Sequence, residues 1–348
     1  MFKRRTLFIV GAGASVEVGM PVGINLAKRI AKLVDFKAAE PGPNQGDGDM
    51  HFLGQFHRRF PGTLNAYRQA GWAIRDGVRL THSIDDFLDM HNGNETIQRM
   101  GKAAIVQTIL TAETSSSLFF NSYSYQETFN KIEDTWFMKF FRLLGRGINL
   151  GNAREIFERV SFIIFNYDRC IEHFLINALS LVYTIPLDEA ASIVADLDII
   201  HPYGTVGELP LLSKTDQVPY GPLRDGTFDY TVLAERIKTY TEQIGGAEET
   251  NAIRNETRRA DCIVFLGFGY HDQNLALLDP GEKLKSIPVF GTARGFSTHN
   301  REVVHQKIER MFQQPPPRVI SYSPVVIDQN ATCSSLFDDY AQSLTSGK

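Results

Sequence analysis

Gly11-Ala12-Gly13-Ala14-Ser15 follows a short apolar run, and Gly19-Met20-Pro21 stands just before a helical pattern. Glycines at such a turn let backbone N–H groups come close to a pyrophosphate, whose charge is favoured at a helix N-terminus. The simple dinucleotide fingerprint G-x-G-x-x-G is not met, because Val16 takes the place of the third glycine. Gly11 and Gly13 alone would suit a plain tight turn. Ser15, Gly19 and Pro21 in addition narrow the pattern to a phosphate loop.

A second apolar run ends in Phe165-Asn166-Tyr167-Asp168, and a third in His201-Pro202-Tyr203-Gly204. An amide, a carboxylate and an imidazole would then lie at the carboxyl ends of strands, the edge where open α/β sheets bind ligands. His201 is the candidate general base, since imidazole titrates near neutral pH. Taken singly, Asn166 suits a turn, Asp168 a helix cap, and His201 a hydrogen-bonded structural role. Two more runs end in small residues, Gly267-Phe268-Gly269 and Gly291-Thr292-Ala293, which leave room for a ribose and an adenine.

Metal chemistry has little to build on. The three cysteines, Cys170, Cys262 and Cys333, form no C-x-x-C pair, and the histidines show no ligand spacing such as H-x-x-x-H. No metal site is expected.

These residues need a scaffold that brings strand ends together. Five apolar runs bounded by turn residues read as buried parallel strands: 6–10, 160–165, 197–200, 261–266 and 287–290. A sixth is expected at 318–321. Helical patterns follow at 23–34, 168–181 and 298–311, with a closing helix at 334–344. Strand-helix alternation of this kind specifies an α/β, doubly wound, Rossmann-like parallel sheet. Between the first two strands the chain runs through a turn-rich linker at 36–49 and then helical patterns at 84–90, 96–110 and 126–144. The expected organisation is a sheet domain formed by 1–36 and 156–348, with a mainly helical module, 37–155, inserted in it.

The 348 residues carry a formal charge of −4, with 43% hydrophobic and 22% charged side chains. This balance excludes wholesale disorder and offers no strong basic field for nucleic acid. The basic start Met1-Phe2-Lys3-Arg4-Arg5 precedes an apolar run that Gly11-Ala12-Gly13 cuts short, and no later run reaches bilayer length. A cytoplasmic protein with no membrane partner is expected.

In order and position, the glycine loop, Asn166-Tyr167-Asp168, His201 with Gly204, and Gly267-Phe268-Gly269 resemble the sirtuin superfamily. More closely they resemble its bacterial sirtuin-like NAD hydrolases of anti-phage defence, as does Ser83-Ile84-Asp85-Asp86-Phe87-Leu88. The resemblance implies NAD as substrate, with Ala12, Gly13 and Ser15 on phosphate and ribose. Asn166 and Asp168 would face the nicotinamide ribose and carboxamide, and His201 would be the catalytic base. Gly11, Ala14, Pro21, Gly204, Gly267, Phe268, Gly269 and Thr292 complete the implied NAD site.

Two departures from the protein-deacylating sirtuins argue against acyl-lysine chemistry. The zinc-binding cysteine pairs are absent, and Val22-Gly23 follows Pro21 where those enzymes carry Asp-Phe-Arg. The expected activity is hydrolysis of NAD to nicotinamide and ADP-ribose. The alternatives are an NAD-dependent deacylase or ADP-ribosyltransferase, and a sensor that binds NAD or ADP-ribose without turnover. An unregulated hydrolase would drain its own cell, so gating is expected from homo-oligomerisation or from a separate partner such as a motor ATPase. Phe119-Phe120 and Trp136-Phe137 are candidate contact residues, although such aromatics more often form core.

Overall fold

A computed structural model describes residues 1–38, 46–120, 125–213, 217–221, 228–244, 246–281, 286–313 and 324–347. Six strands, β1 (Thr6–Val10), β2 (Val160–Ile164), β3 (Asp198–Ile200), β4 (Cys262–Leu266), β5 (Val289–Thr292) and β6 (Val325–Asp328), form one sheet. Their order is β3-β2-β1-β4-β5-β6, and every pairing is parallel. The chain builds outward from β1 to β3, then returns to the other side of β1, so strand order reverses between β1 and β4. This is the doubly wound Rossmann-like order, which opens a crevice at the reversal, the place where sheets of this kind bind ligands.

All five residues of β1, β2 and β4 are buried, which explains their unbroken apolar runs: helices cover both faces. Register sets the edge level. Val10 pairs with both Ile164 and Leu266, so the chain leaves the sheet at Gly11, Phe165 and Gly267 in one row.

The helices, in chain order, are α1 (Gly23–Leu33), α2 (Met50–Arg59), α3 (Leu64–Gly77), α4 (Ile84–Met90), α5 (Glu95–Ser115), α6 (Tyr125–Ile132), α7 (Trp136–Leu144), α8 (Cys170–Tyr183), α9 (Leu187–Val194), α10 (Tyr230–Leu233), α11 (Tyr240–Ile244), α12 (Ala247–Arg259), α13 (Asp272–Leu278), α14 (Thr298–Phe312) and α15 (Cys333–Thr345). The segment between β1 and β2 is thus helical after α1, but it shares one hydrophobic core with the sheet. Phe140 of α7 meets Phe8 of β1 edge-on, with ring centroids 5.2 Å apart, and Phe337 of α15 stacks on Trp136 of α7 at 6.1 Å. Trp136 and Phe137 are therefore core, not contact surface. Phe119 and Phe120 are half-buried against the same core.

Several boundaries differ from the sequence pattern. The expected helix at 126–144 is two helices, because Thr135 is extended (φ −81°, ψ 159°) and the Trp136 amide donates to Glu17 Oε2 at 2.8 Å. β5 starts at Val289, two residues late: Pro288 has no N–H for the ladder and offers only its carbonyl, to Ile263 N at 3.1 Å. α2 and α3 were not distinguished in the sequence; Asp49 caps α2 by accepting from His51 N and Phe52 N. The expected strand at 318–321 and the Pro41-Gly42-Pro43 part of the linker lie outside the described residues. Among the described residues, no helix is long and apolar enough to cross a membrane.

One buried ion pair ties the inserted helices to the sheet domain. Arg169, at the entry to α8, donates from Nε to Glu113 Oε1 of α5 at 3.1 Å and from Nη2 to Oε2. The side chains are 2% and 0% exposed. Remaining guanidinium donors reach the carbonyls of Gly207, Val218 and Pro219, and Glu113 also accepts from Gly221 N at 3.0 Å. Removing one partner strands a buried charge. Glu113→Ala is expected to lower unfolding free energy by about 3–5 kcal/mol in denaturant titration. A loss below about 1 kcal/mol would show that the site is wetter than this geometry implies.

Candidate functional site

At the reversal point, backbone touches backbone. Gly11 N donates to Leu266 O at 2.9 Å and Gly13 N to Gly267 O at 3.0 Å. A Cβ on Gly11 or Gly13 would fall 2.6 or 2.7 Å from Gly267 O, and one on Gly267 (φ +55°) would lie 2.0 Å from Ala14 N. These three glycines are needed for the approach of the two turns, whatever binds beside them. The residues after Gly11 form a 3-10 helix, Ala12–Val18, and α1 opens at Gly23 without a side-chain cap from Val22. The first-turn N–H groups of α1 stand beside Pro21, an arrangement suited to an anion.

Two cavities meet at Gly13, Gly267 and Phe268. The first, about 250 Å³, lies under the ends of β1 and β2 and is roofed by Ser83 to Asp86 at the start of α4. Gly11, Ala12, Gly13, Pro21, Asn166, Asp168, Gly267, Phe268 and Gly269 all line it. The second, about 360 Å³, extends under β5 and is lined by Thr292, Arg294 and Thr332 among others. Thr292 also holds the turn, its Oγ1 accepting from Gly267 N at 2.9 Å. The pair of cavities thus straddles the glycine contact, one on each side of the strand-order reversal.

Asn166 is the polar centre of the first cavity. It is 5% exposed, and its Nδ2 donates to Ser15 Oγ at 3.2 Å. Its Oδ1 has no hydrogen-bond partner among the described residues. A buried amide oxygen left unpaired costs free energy unless something else fills the place. Asp168, also buried, accepts from Cys170 N, the first residue of α8, at 3.2 Å. Burial pushes its carboxyl above the usual range, against hydrogen bonds from Cys170 and Ser15. Ser15 therefore stands behind the site, linking Asn166 and Asp168 rather than lining the cavity.

His201 is not in the cavity wall. Its Nε2 pairs with Glu172 Oε1 of α8 at 2.8 Å, and its Nδ1 lies 3.4 Å from the Asn166 carbonyl oxygen. Both ring nitrogens thus face protein groups, and the imidazole braces the Asn166 backbone from outside. Gly204 is likewise not in the cavity wall: at φ +74°, its Cβ would meet Arg236 O at 1.9 Å, so the glycine serves a tight backbone packing. Ala14 is buried, with its carbonyl accepting from Trp136 Nε1 at 2.8 Å.

Other lining residues were not singled out by sequence reasoning. Tyr203, in the same strand-end cluster as His201, does reach the cavity and donates from its hydroxyl to Asn274 Oδ1 at the start of α13. Tyr167, between Asn166 and Asp168, donates to Asp85 Oδ1 of α4. Burial raises the Asp85 carboxyl above its ordinary range, and the Tyr167 hydrogen bond opposes that shift. The cavity therefore gathers the carboxyls of Asp85, Asp86 and Asp168, one unpaired amide oxygen and three tyrosines, Tyr167, Tyr203 and Tyr240. Such a set favours a ligand carrying positive charge and hydroxyl donors at one end. Asp85 lies in the Ser83–Leu88 segment quoted from the sequence, and Tyr167 and Tyr203 sit inside named clusters, whereas Tyr240 and Asn274 had no such signal.

Compared with family models, with curated proteins and with solved structures, the chain matches none. Among the described residues, no group of three or more His, Cys, Asp or Glu side chains is placed to hold a metal ion.

The His201–Glu172 pair has a pH signature. Burial opposes the imidazolium, but the Glu172 carboxylate outweighs it and raises His201 above its ordinary value; Glu172 is lowered, burial being outweighed by His201. With His201 raised, the native state holds a proton that the unfolded state releases, so stability falls as pH rises from about 6.5 through the folded value. Glu172 acts oppositely: its share is lost as pH falls below about 4.3 through its folded value. Unfolding titrations from pH 4 to 9 should show the decline above neutrality in the wild type and its absence in His201→Ala. An identical pH profile in both would overturn the pair.

Proposed function

We propose that this chain hydrolyses NAD to nicotinamide and ADP-ribose. The observation that carries the reading is Asn166: a buried side chain at a strand end, on the wall of a cavity at the strand-order reversal, with its Oδ1 unpaired. The paired cavities share Gly13, Gly267 and Phe268, which lets one dinucleotide occupy both with its pyrophosphate at the glycine contact. The nicotinamide ribose takes the first cavity and the adenosine half the second, beside Thr292.

Cleavage at C1′ of the ribose needs little acid help, because nicotinamide leaves as a neutral molecule while positive charge grows on the sugar. That state is oxocarbenium-like, as in glycoside hydrolysis. The residues that stabilise it are the carboxyls of Asp168 and Asp85. Asn166 Oδ1 accepts from a ribose hydroxyl or from the attacking water and fixes its position. His201 acts at one remove, holding Asn166 through its carbonyl. This replaces the role of direct base read for it in the sequence.

A hydrolase of this kind must be restrained in its own cell. We assign that restraint to assembly with further copies or with a separate partner, in keeping with an NAD-depleting defence effector. Buried Trp136 and Phe137 are not part of such a surface.

Product separation after incubation with NAD checks the reading. Asn166→Ala should cut nicotinamide release by roughly 10²-fold while leaving the melting temperature and NAD affinity near wild type. His201→Ala should lose both turnover and stability. Wild-type turnover in a well-folded Asn166→Ala protein would falsify the site; NAD binding without nicotinamide release under any activating condition would instead favour a sensor.

A further inference from the structure

A third cavity, about 370 Å³, opens between α12 and α13, and none of the roles given above uses it. Its walls are Tyr240, Ala247, Thr250, Asn251, Arg254, Ala276 and Leu277. Two features set it apart from a solvated surface groove. Thr250 and Arg254 are four residues apart on α12 and so lie on one face. Thr250 Oγ1 and Arg254 Nε are both buried, and neither has a hydrogen-bond partner among the described residues. Arg254 also makes no ion pair among the described residues, whereas the buried Arg169 lies against Glu113. Buried donors left unpaired in this way call for an acceptor.

A guanidinium and a hydroxyl side by side match an oxyanion, for which arginine's forked donors are well shaped. Apart from the Asn251 amide, the rest of the wall is apolar or aromatic: Ala247, Ala276, Leu277 and the Tyr240 ring. A bare inorganic anion would leave that part of the cavity empty, whereas a phosphate joined to a flat heterocycle would fill it. The volume falls within the range for small-molecule sites. We propose that this cavity binds a nucleotide-class ligand, with its phosphate on Arg254 and Thr250 and its ring against Tyr240.

Placement gives the site a consequence for the first cavity. Tyr240 lines both, and α13 divides them, with Gln273 and Asn274 on one side and Ala276 and Leu277 on the other. Asn274 is the acceptor for the Tyr203 hydroxyl. A ligand that fixes Tyr240 and α13 therefore also fixes one wall of the proposed NAD site. The binding claim itself does not depend on NAD hydrolysis.

A 19F reporter attached to an Ala252→Cys variant reads the site locally, since all three native cysteines are buried. Ala252 is exposed on α12 and outside the cavity wall. Titration with adenosine 5′-monophosphate should give a saturable shift. Arg254→Gln and Thr250→Val, added in turn, should weaken it by about tenfold or more for the arginine and less for the threonine. Adenosine without phosphate should give little shift, and inorganic phosphate should bind more weakly than the nucleotide. Both variants should keep the parent melting temperature, because neither side-chain polar group has a partner to lose. Equal nucleotide affinity with and without Arg254, or no shift with any of the three probes, overturns the proposal. Equal affinity for inorganic phosphate and the nucleotide overturns the assignment of the ring to Tyr240. Failure of NAD hydrolysis would leave all these outcomes unchanged.

Discussion

The contact between Gly13 and Gly267 is the constraint on which the rest of the arrangement depends. β1 and β4 are neighbours in the sheet but far apart in sequence, and their turns must pass each other at the carboxyl edge. Only glycine allows the Gly13 amide to reach the Gly267 carbonyl at 3.0 Å with the two backbones in van der Waals contact. That contact closes the sheet edge between the turns and leaves a cavity on either side. The same glycines that look like a phosphate loop in the sequence are thus required first by packing. Any role in binding follows from the space they leave.

The second constraint is electrostatic. The inserted helices bring Asp85 over the first cavity, and they are held by a buried arginine-carboxylate pair, Arg169 with Glu113. Such a pair is a poor source of net stability, because desolvation offsets most of the attraction. It does fix position, since Arg169 joins Glu113 of α5 to the carbonyls of Gly207, Val218 and Pro219. The insertion is therefore part of the site's wall and part of its core. Phe140 and Trp136 pack into the sheet's aromatic layer and leave no seam between two modules.

Much of this was legible in the sequence, for reasons that differ by element. The apolar runs at β1, β2 and β4 were clear because strands covered on both faces carry no polar alternation. Their turn residues were visible because glycine, asparagine and aspartate have few other uses there. Thus Gly11, Gly13, Asn166, Asp168 and Gly267 do converge on one cavity. His201 did not, and its neighbour Tyr203 did: a chain leaving a strand points successive side chains differently, and composition does not say which one turns inward. Glu172, the partner that holds His201, lies 29 residues earlier, a pairing that spacing cannot reveal. Nor could the sequence relate Asp85 to Tyr167, 82 residues apart. Such pairs depend on how α8 packs against the turn after β3 and α4 against the turn after β2, which local pattern does not encode.

The central claim is that the two cavities astride Gly13 and Gly267 hold one dinucleotide. A crystal structure of Asn166→Ala soaked with NAD tests it most directly, since slow turnover preserves the ligand. The account predicts a single NAD spanning both cavities, with its pyrophosphate at Gly13 and Gly267, its nicotinamide ribose beside residue 166 and its adenine near Thr292. Ligand density confined to one cavity, or none there at saturating NAD, would contradict it.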